Sequence, residues 1–416
     1  MKKDSFFLLA LFLISFFLIF FRFNLIPKNI SFDEIEFANL ALSLNNKSYT
    51  TYSNMATGHS TLYFYILFFS FKLFGINNFA LRFPSAIFGF LSIFIFYYLI
   101  KNLLNEKRYK NFFAFLCSVV LITSRWYFNF ARFSFEATFL ILLELISILF
   151  LIKYFKINKI QFLIYSGIFS GLSFLSYTSG RIFFLLPLLV LFIKKTNWRN
   201  YLYFLISFLI VSIPLISYLF TNNDIRVKEA SIFSQNMSLK SKLFSVTENV
   251  KKTSFMFFLH GDMNGRHNYP GKPTFNPILS VFFLIGLILS IKNYKEFNNK
   301  LMLFYFVLSI TPTLFTKPIE NPNMLRTFSA LPSISYFILN ALIYLSKIKI
   351  KINEIYLLSI LSLLIFISSL YEIRTYFLFQ SRVLKNSFEV KCNLQQIHKL
   401  KTNIIPKKCL VQKNEF

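Results

Sequence analysis

Acidic residues are scarce in this chain, with 17 Asp and Glu against 45 Lys and Arg in 416 residues. Charge of either sign is scarce too, since 15% of residues are charged and 55% are hydrophobic. A chain of this length would otherwise divide into roughly two or three soluble domains, and the composition excludes that. Cysteine is almost missing, at three residues. Cys117 lies inside an apolar run and reads as a packing residue, whereas Cys392 and Cys409 lie near the C-terminus and can pair in an oxidising compartment. No small-residue cleavage site follows the apolar stretch from Phe6 to Phe21, so Met1-Lys2-Lys3 and that stretch read as a retained anchor rather than a signal peptide. No internal repeat is visible.

Apolar runs long enough to cross a bilayer recur along the whole sequence, which reads as an all-α polytopic membrane protein. Eleven spans are expected, at 6–23, 83–102, 111–126, 136–153, 160–177, 181–194, 200–220, 277–292, 300–316, 325–346 and 354–377. The formal charge of +28 falls mostly in short basic clusters between these runs, at 101–110, 153–159, 194–199, 292–300 and 347–351. That is a topology signal rather than a phosphate-tracking surface, so no nucleic acid is expected as a partner. With eleven spans, Lys2-Lys3 and all five clusters fall on the inner side. The short apolar stretch 62–75 would invert this order if it crossed, and it is placed as an interfacial helix over 60–75 on the outer surface. The outer face then carries 24–82, 127–135, 221–276, 317–324 and the C-terminal tail. The basic tail, 381–416, resists the charge rule, which leaves a further crossing open.

In a chain so poor in acids, the adjacent pair Asp33-Glu34 stands out. It opens a segment whose apolar residues Phe37, Leu40, Ala41 and Leu44 recur at helical steps. One reading is a helix start, Asp33 capping and Glu34 complementing the dipole. The other is chemical: carboxylates held at a membrane surface are placed to accept a proton.

Further polar groups collect on the same outer face. His59, in Gly58-His59-Ser60, is able to donate and accept near neutral pH. Arg132 and Glu136 flank the mouth of the span at 136–153, either as a helical ion pair or as a functional pair. Tyr177 precedes a tight turn ending in Arg181, which either snorkels to headgroups or clamps a phosphate. The run from Gly261 to Pro273 concentrates turn-formers with Arg266, His267 and Asn268, donors suited to phosphate or sugar hydroxyls. Arg326 adds a cation at another span mouth, and Glu144 sits in mid-span, satisfied by a neighbouring helix. Carboxylates suit a general base and clustered arginines suit a lipid-linked phosphate, a combination that fits transfer of a phosphate-activated group.

The ordered set resembles the GT-C glycosyltransferases, in particular the branch of protein O-mannosyltransferases and lipid A aminoarabinose transferases, over about residues 6–345. It is carried by Asp33-Glu34 with Ala38 and Ala41-Leu42, and most specifically by His59-Ser60-Thr61-Leu62-Tyr63 leading to Lys72-Leu73-Phe74-Gly75 and Phe79-Ala80-Leu81-Arg82-Phe83-Pro84-Ser85. Gly171-Leu172-Ser173 through Arg181, Arg266-His267-Asn268-Tyr269-Pro270-Gly271 and Leu325-Arg326 also fit. The resemblance implies a GT-C fold with two amphipathic interfacial helices in the first outer loop, and a polyprenyl-phosphate sugar donor. By position it implies Asp33 as the general base, Glu34 orienting it or the acceptor, and Glu136 as the second-loop acid. His59, Arg82, Arg132, Tyr177, Arg181, Arg266, His267, Asn268 and Arg326 become candidate substrate contacts. His59-Ser60 stands where the aminoarabinose branch has Lys-Pro, which speaks against lipid A and aminoarabinose.

The chain is then expected to comprise a module at 1–220, an outer loop at 221–276, a four-span module at 277–378 and a tail at 379–416. It would move a monosaccharide to a hydroxyl or phosphate of a membrane-associated or secreted acceptor, at the outer face of a bacterial inner membrane. No cofactor is expected; a divalent cation could sit on the carboxylates, but no paired ligand motif calls for one. The rival readings are a polysaccharide polymerase or ligase using a diphosphate-linked donor, and a transporter.

Overall fold

The computed structural model describes residues 2–45, 48–105, 108–348, 353–400 and 405–411. Helix follows helix along it: α1 (Lys2–Phe20), α2 (Phe32–Ser43), α3 (Leu62–Phe74), α4 (Asn78–Leu103), α5 (Lys110–Thr123), α6 (Arg125–Phe130), α7 (Ala137–Ile157), α8 (Ile160–Phe174) and α9 (Leu185–Ile193). The second half holds α10 (Trp198–Thr221), α11 (Ile225–Ala230), α12 (Leu239–Phe258), α13 (Pro277–Lys292), α14 (Phe297–Leu314), α15 (Leu331–Ser346), α16 (Glu354–Arg374), α17 (Ser381–Ser387) and α18 (Leu394–Lys399). Among the described residues the one sheet is a two-residue antiparallel pair, Tyr52–Ser53 with His59–Ser60. Helices satisfy their own backbone polar groups, which is what an apolar chain in lipid requires.

Each of the apolar segments read from the sequence is helical, and so are both interfacial segments, as α2 and α3. Their lengths differ, however. Five helices, among them α4, α7 and α10, are long and apolar enough to cross a membrane alone, and α13 with α14 passes the same test across a 119° bend. The stretches Asp4–Phe20, Lys110–Thr123, Ile160–Phe174 and Thr178–Ile193 are shorter, giving roughly 21–26 Å of helix against about 30 Å of hydrocarbon. The expected eleven is therefore a count of apolar helices; length and composition assign five crossings, or six with the bent pair taken as one.

Close packing depends on small residues. A Cβ on Gly167 would lie 1.9 Å from Ser207 Oγ, and one on Gly171 would lie 2.8 Å from Val211 Cβ. This Gly-xxx-Gly seam lets α8 and α10 approach backbone to backbone.

The two ends of the bundle differ in character. At one end Asp4 accepts from Lys101 Nζ at 2.6 Å and from Tyr97 Oη at 2.8 Å, Lys156 Nζ donates to the Asn102 carbonyl at 2.6 Å, and Lys194 lies 4.0 Å from the Phe297 ring centre. This gathers the basic connectors on one face, as the charge pattern requires. The opposite face carries α2, the starts of α4 and α7, α11 and the 261–273 turn. The tail joins that face: Ile30 and Val390 exchange backbone hydrogen bonds at 2.9 Å, Val390 also pairs with Leu410, and Cys392 is disulfide-bonded to Cys409. A short π-helical stretch, Thr375–Gln380, leads from α16 into α17, and among the described residues beyond Ser387 the α-helix is α18, six residues and too short to cross.

Candidate active site

The site begins at the N-terminus of α2. Ser31, not Asp33, is the cap: its hydroxyl accepts from Glu34 N at 3.1 Å, and Glu34 Oε2 accepts from Ser31 N at 3.2 Å, completing a capping box. Capping thus leaves Asp33 free while it engages Glu34. Glu34 is fully buried and takes Arg82 at 2.8 Å through both Nε and Nη2, with Ser134 N on the same carboxylate at 3.0 Å. Arg82 spends its remaining donors on the Pro27 and Asn29 carbonyls. The acidic pair splits into one structural carboxylate and one that is half-exposed.

Asp33 faces Arg266, whose Nη1 donates to Asp33 Oδ2 at 2.5 Å. Arg266 is presented by a turn folded around Asp262. That carboxylate accepts from Asn264 N at 2.8 Å, His267 Nδ1 at 2.8 Å and Met324 N at 2.9 Å. Burial alone would raise the Asp262 pKa, but His267 and these amides hold it below the ordinary value. A Cβ on Gly261 would lie 1.8 Å from the Lys272 carbonyl oxygen, so the two strands of the turn meet only because that position is glycine.

Across from Asp33 stands a buried relay. His59 Nδ1 lies 2.5 Å from Glu136 Oε1, and Arg226 Nη1 donates to His59 Nε2 at 2.6 Å. Arginine has only donors, so Nε2 must be the acceptor and Nδ1 carries the proton. The imidazole is neutral: burial lowers its pKa, Glu136 opposes that, and Arg226 reinforces it. Gly58, next in sequence, holds φ +91°, and a Cβ there would meet Tyr52 Oη at 2.3 Å. Arg226 sits on α11, capped by Asp224, which accepts from Val227 N at 3.0 Å and Tyr52 Oη at 3.0 Å and pairs with Arg181. Burial opposes ionisation of Asp224, and Arg181 with its other donors outweighs it, lowering its pKa.

Between these groups lies a cavity of about 170 Å³, onto which Asp33, Glu36, Arg226, Arg266 and Arg326 open, with His59, Tyr177 and His267 in its wall. Glu36 has a raised pKa because of burial and the neighbouring Asp33. Arg326 is paired with Glu320, yet its Nη1, like Glu136 Oε2, is buried without a protein partner among the described residues. An apolar cavity of about 180 Å³ adjoins, sharing Tyr177, Arg226 and Arg326 and walled by Val227, Pro312 and Phe315. Asp33 and Glu36 are the carboxylates on which a cation could sit; no group of three His, Cys, Asp or Glu side chains converges among the described residues.

The structure thus brings Asp33, His59, Tyr177, Arg266, His267 and Arg326 to one cavity. Several expected contacts are instead held in the frame. Arg132 is fully buried and donates to the carbonyls of Leu18, Ile19 and Phe21 at 2.8 Å, satisfying the orphan acceptors that end α1. It makes no helical pair with Glu136, which stands behind His59. Arg82 and Glu34 lock α4 to α2. Asn268 is fully buried, with Arg125 on its oxygen and the Asp262 and Lys272 carbonyls on its amide. Arg181 acts through Asp224. Arg226 was missed, because a single arginine in a long polar loop carries no periodic signal; the cap residue Asp224 just before it was the available clue.

Residues 58–218 match the family model for dolichyl-phosphate-mannose-protein mannosyltransferase, a segment that includes His59, Glu136 and Tyr177. None of the curated proteins is significantly similar in sequence. In three dimensions the chain is similar to ArnT from Cupriavidus metallidurans bound to undecaprenyl phosphate, with TM-score 0.57 and 10% identity over 93% of this chain and 76% of that one. It is also similar to the archaeal oligosaccharyltransferase AglB from Archaeoglobus fulgidus, in complex with an inhibitory peptide and a dolichol-phosphate, with TM-score 0.52 and 16% identity over 92% and 56% of the two chains. The chain has the GT-C fold that the resemblance implied.

Proposed function

We propose that this protein transfers a monosaccharide from a polyprenyl-phosphate-linked donor to an acceptor hydroxyl, by a single inverting displacement. The observation that carries this reading is that Asp33, Arg226 and Arg326 open onto one small cavity. A volume of about 170 Å³ is worth about six water molecules' share of the liquid, room for one sugar ring. The adjoining apolar cavity fits the first isoprene units, next to the same arginines that would hold the phosphate. ArnT and AglB were both solved with polyprenyl-type phosphates, which supports a carrier of that class here.

In this mechanism Asp33 takes the proton of the acceptor hydroxyl as its oxygen attacks the anomeric carbon. The bond from that carbon to the phosphate oxygen breaks, and the lipid phosphate leaves with the electron pair. Arg226 and Arg326 stabilise the departing charge, joined by Arg266 as it exchanges Asp33 for phosphate, and this stabilisation supplies the larger part of the rate gain. His59 and Glu136 hold the Arg226 guanidinium in place. The reaction would run at the outer face of a bacterial inner membrane.

The test is reconstitution in vesicles with labelled polyprenyl-phosphate monosaccharide, following release of the lipid phosphate. Wild type should consume the donor and Asp33→Asn should not; equal turnover by both removes Asp33 from its role. The likeness to AglB, an oligosaccharyltransferase, favours one second reading, a diphosphate-linked oligosaccharide donor. It predicts that the monophosphate donor stays intact while the diphosphate one is consumed.

A further inference from the structure

A second, larger cavity lies beside the catalytic one. It measures about 690 Å³ and runs between α2 and the tail, with Ile35 and Leu42 on one wall and Leu394 and Ile397 on the other. Cavities of about 300–1,000 Å³ suit one small amphiphile. Glu36 and Ala56 line both this groove and the catalytic cavity, so the two adjoin along α2.

The groove is built by the tail. Val390 is bridged to Ile30 on one side and Leu410 on the other, and the Cys392–Cys409 disulfide closes the segment that carries α18. The Asn78 side chain accepts from Leu394 N at 2.9 Å, seating α18 against the start of α4. Remove the tail and the second wall is gone.

Resting on the glycosyltransferase reading above, we propose that this groove holds the acceptor, and that the acceptor is a membrane lipid presenting an uncharged hydroxyl to Asp33. The arginines and the other apolar cavity occupy the donor side, so the opening on the Asp33 side is left to the nucleophile. The walls are apolar over most of their length, and Phe32 at the mouth is exposed, which suits an acyl chain entering from the bilayer. Among the described lining residues the one fixed charge is the carboxylate of Glu36, which disfavours an anionic headgroup. A polypeptide would gain most by adding a strand, but Val390 is already paired on both sides.

The probe is a diacylglycerol carrying a diazirine on one acyl chain, in phosphatidylcholine vesicles with the full-length protein. Irradiation should attach it to residues 32–42 or 394–399, with excess unlabelled diacylglycerol as competitor. Ile397→Trp fills the groove and should cut labelling about tenfold. Asn39→Trp, at an exposed lining position, should do the same without disturbing the core. Asp33→Asn should label as wild type, so the groove is scored even if no sugar is transferred and the functional reading fails. Adducts elsewhere, or full labelling in both tryptophan variants, would overturn the proposal. So would labelling displaced by an apolar serine-containing peptide but not by diacylglycerol, which would make the occupant a polypeptide.

Discussion

Replacing Glu34 with glutamine should loosen the fold, whereas replacing its neighbour Asp33 with asparagine should silence the enzyme and leave the fold intact. Glu34 is buried and holds Arg82 through two contacts at 2.8 Å, besides the Ser31 and Ser134 amides. Glutamine keeps the size but not the charge, and it leaves the guanidinium buried without an anion. Breaking a buried pair from one side costs about 3–5 kcal/mol, a large part of the roughly 5–15 kcal/mol by which proteins are stable. Asp33 is 49% exposed, and its partner Arg266 is 22% exposed. A pair of that kind is worth about 0–1 kcal/mol, so Asp33→Asn should melt with wild type. Its turnover should fall by about 10²–10⁴, the usual contribution of a general base. The assay pairs heating in mild detergent, scored by the monodisperse fraction that survives, with donor consumption in vesicles. An Asp33→Asn protein within tenfold of wild-type turnover, or a Glu34→Gln protein as heat-resistant as wild type, would refute the division of the pair.

Three further outcomes follow from the site. His59 is neutral with a depressed pKa; above pH 6.5 it is uncharged in both folded and unfolded chains, and below that the unfolded chain binds a proton the fold refuses. Stability should fall with pH below about 6.5, by up to about 1.4 kcal/mol per unit, and His59→Asn should flatten that slope in melts between pH 7.5 and 5.5. Arg226→Met should lower donor turnover by about 10²–10³, the loss typical of one transition-state donor, and Arg226→Lys should recover only part of it because Lys cannot hold both His59 and a phosphate. Opening the disulfide with Cys392→Ser and Cys409→Ser frees a 17-residue separation, a constraint worth about 3 kcal/mol to the tail. It should raise the acceptor KM while donor hydrolysis without acceptor stays as in wild type.

What could be read along the chain was what depends on runs and neighbours. An apolar helix needs a stretch of apolar residues, so each apolar helix from Phe6 in α1 to the end of α16 was visible in order, whereas α11 and the amphipathic α12 lie inside the expected loop 221–276 and were not. The helical spacing after Asp33 marked α2, and Gly261 to Pro273 showed itself as a turn by its Gly and Pro. Side-chain partners were another matter. Arg82 and Arg132 looked like Arg266, because a guanidinium reads the same whether it serves a phosphate or a row of helix carbonyls. Only burial tells them apart. The tail defied the charge rule, which governs short loops and not long segments, and its pairing with Ile30 lies 360 residues away in sequence.

By itself, then, the sequence determined a helical membrane chain with its basic connectors on one side and its carboxylates and arginines on the other, because lipid insertion acts on local composition. The tertiary structure alone decided which carboxylate opens on the cavity, that His59 and Glu136 hold Arg226, and that the tail walls a groove against α2. Those facts rest on contacts between residues far apart in the chain, and no local pattern encodes the distance across which a hydrogen bond will close.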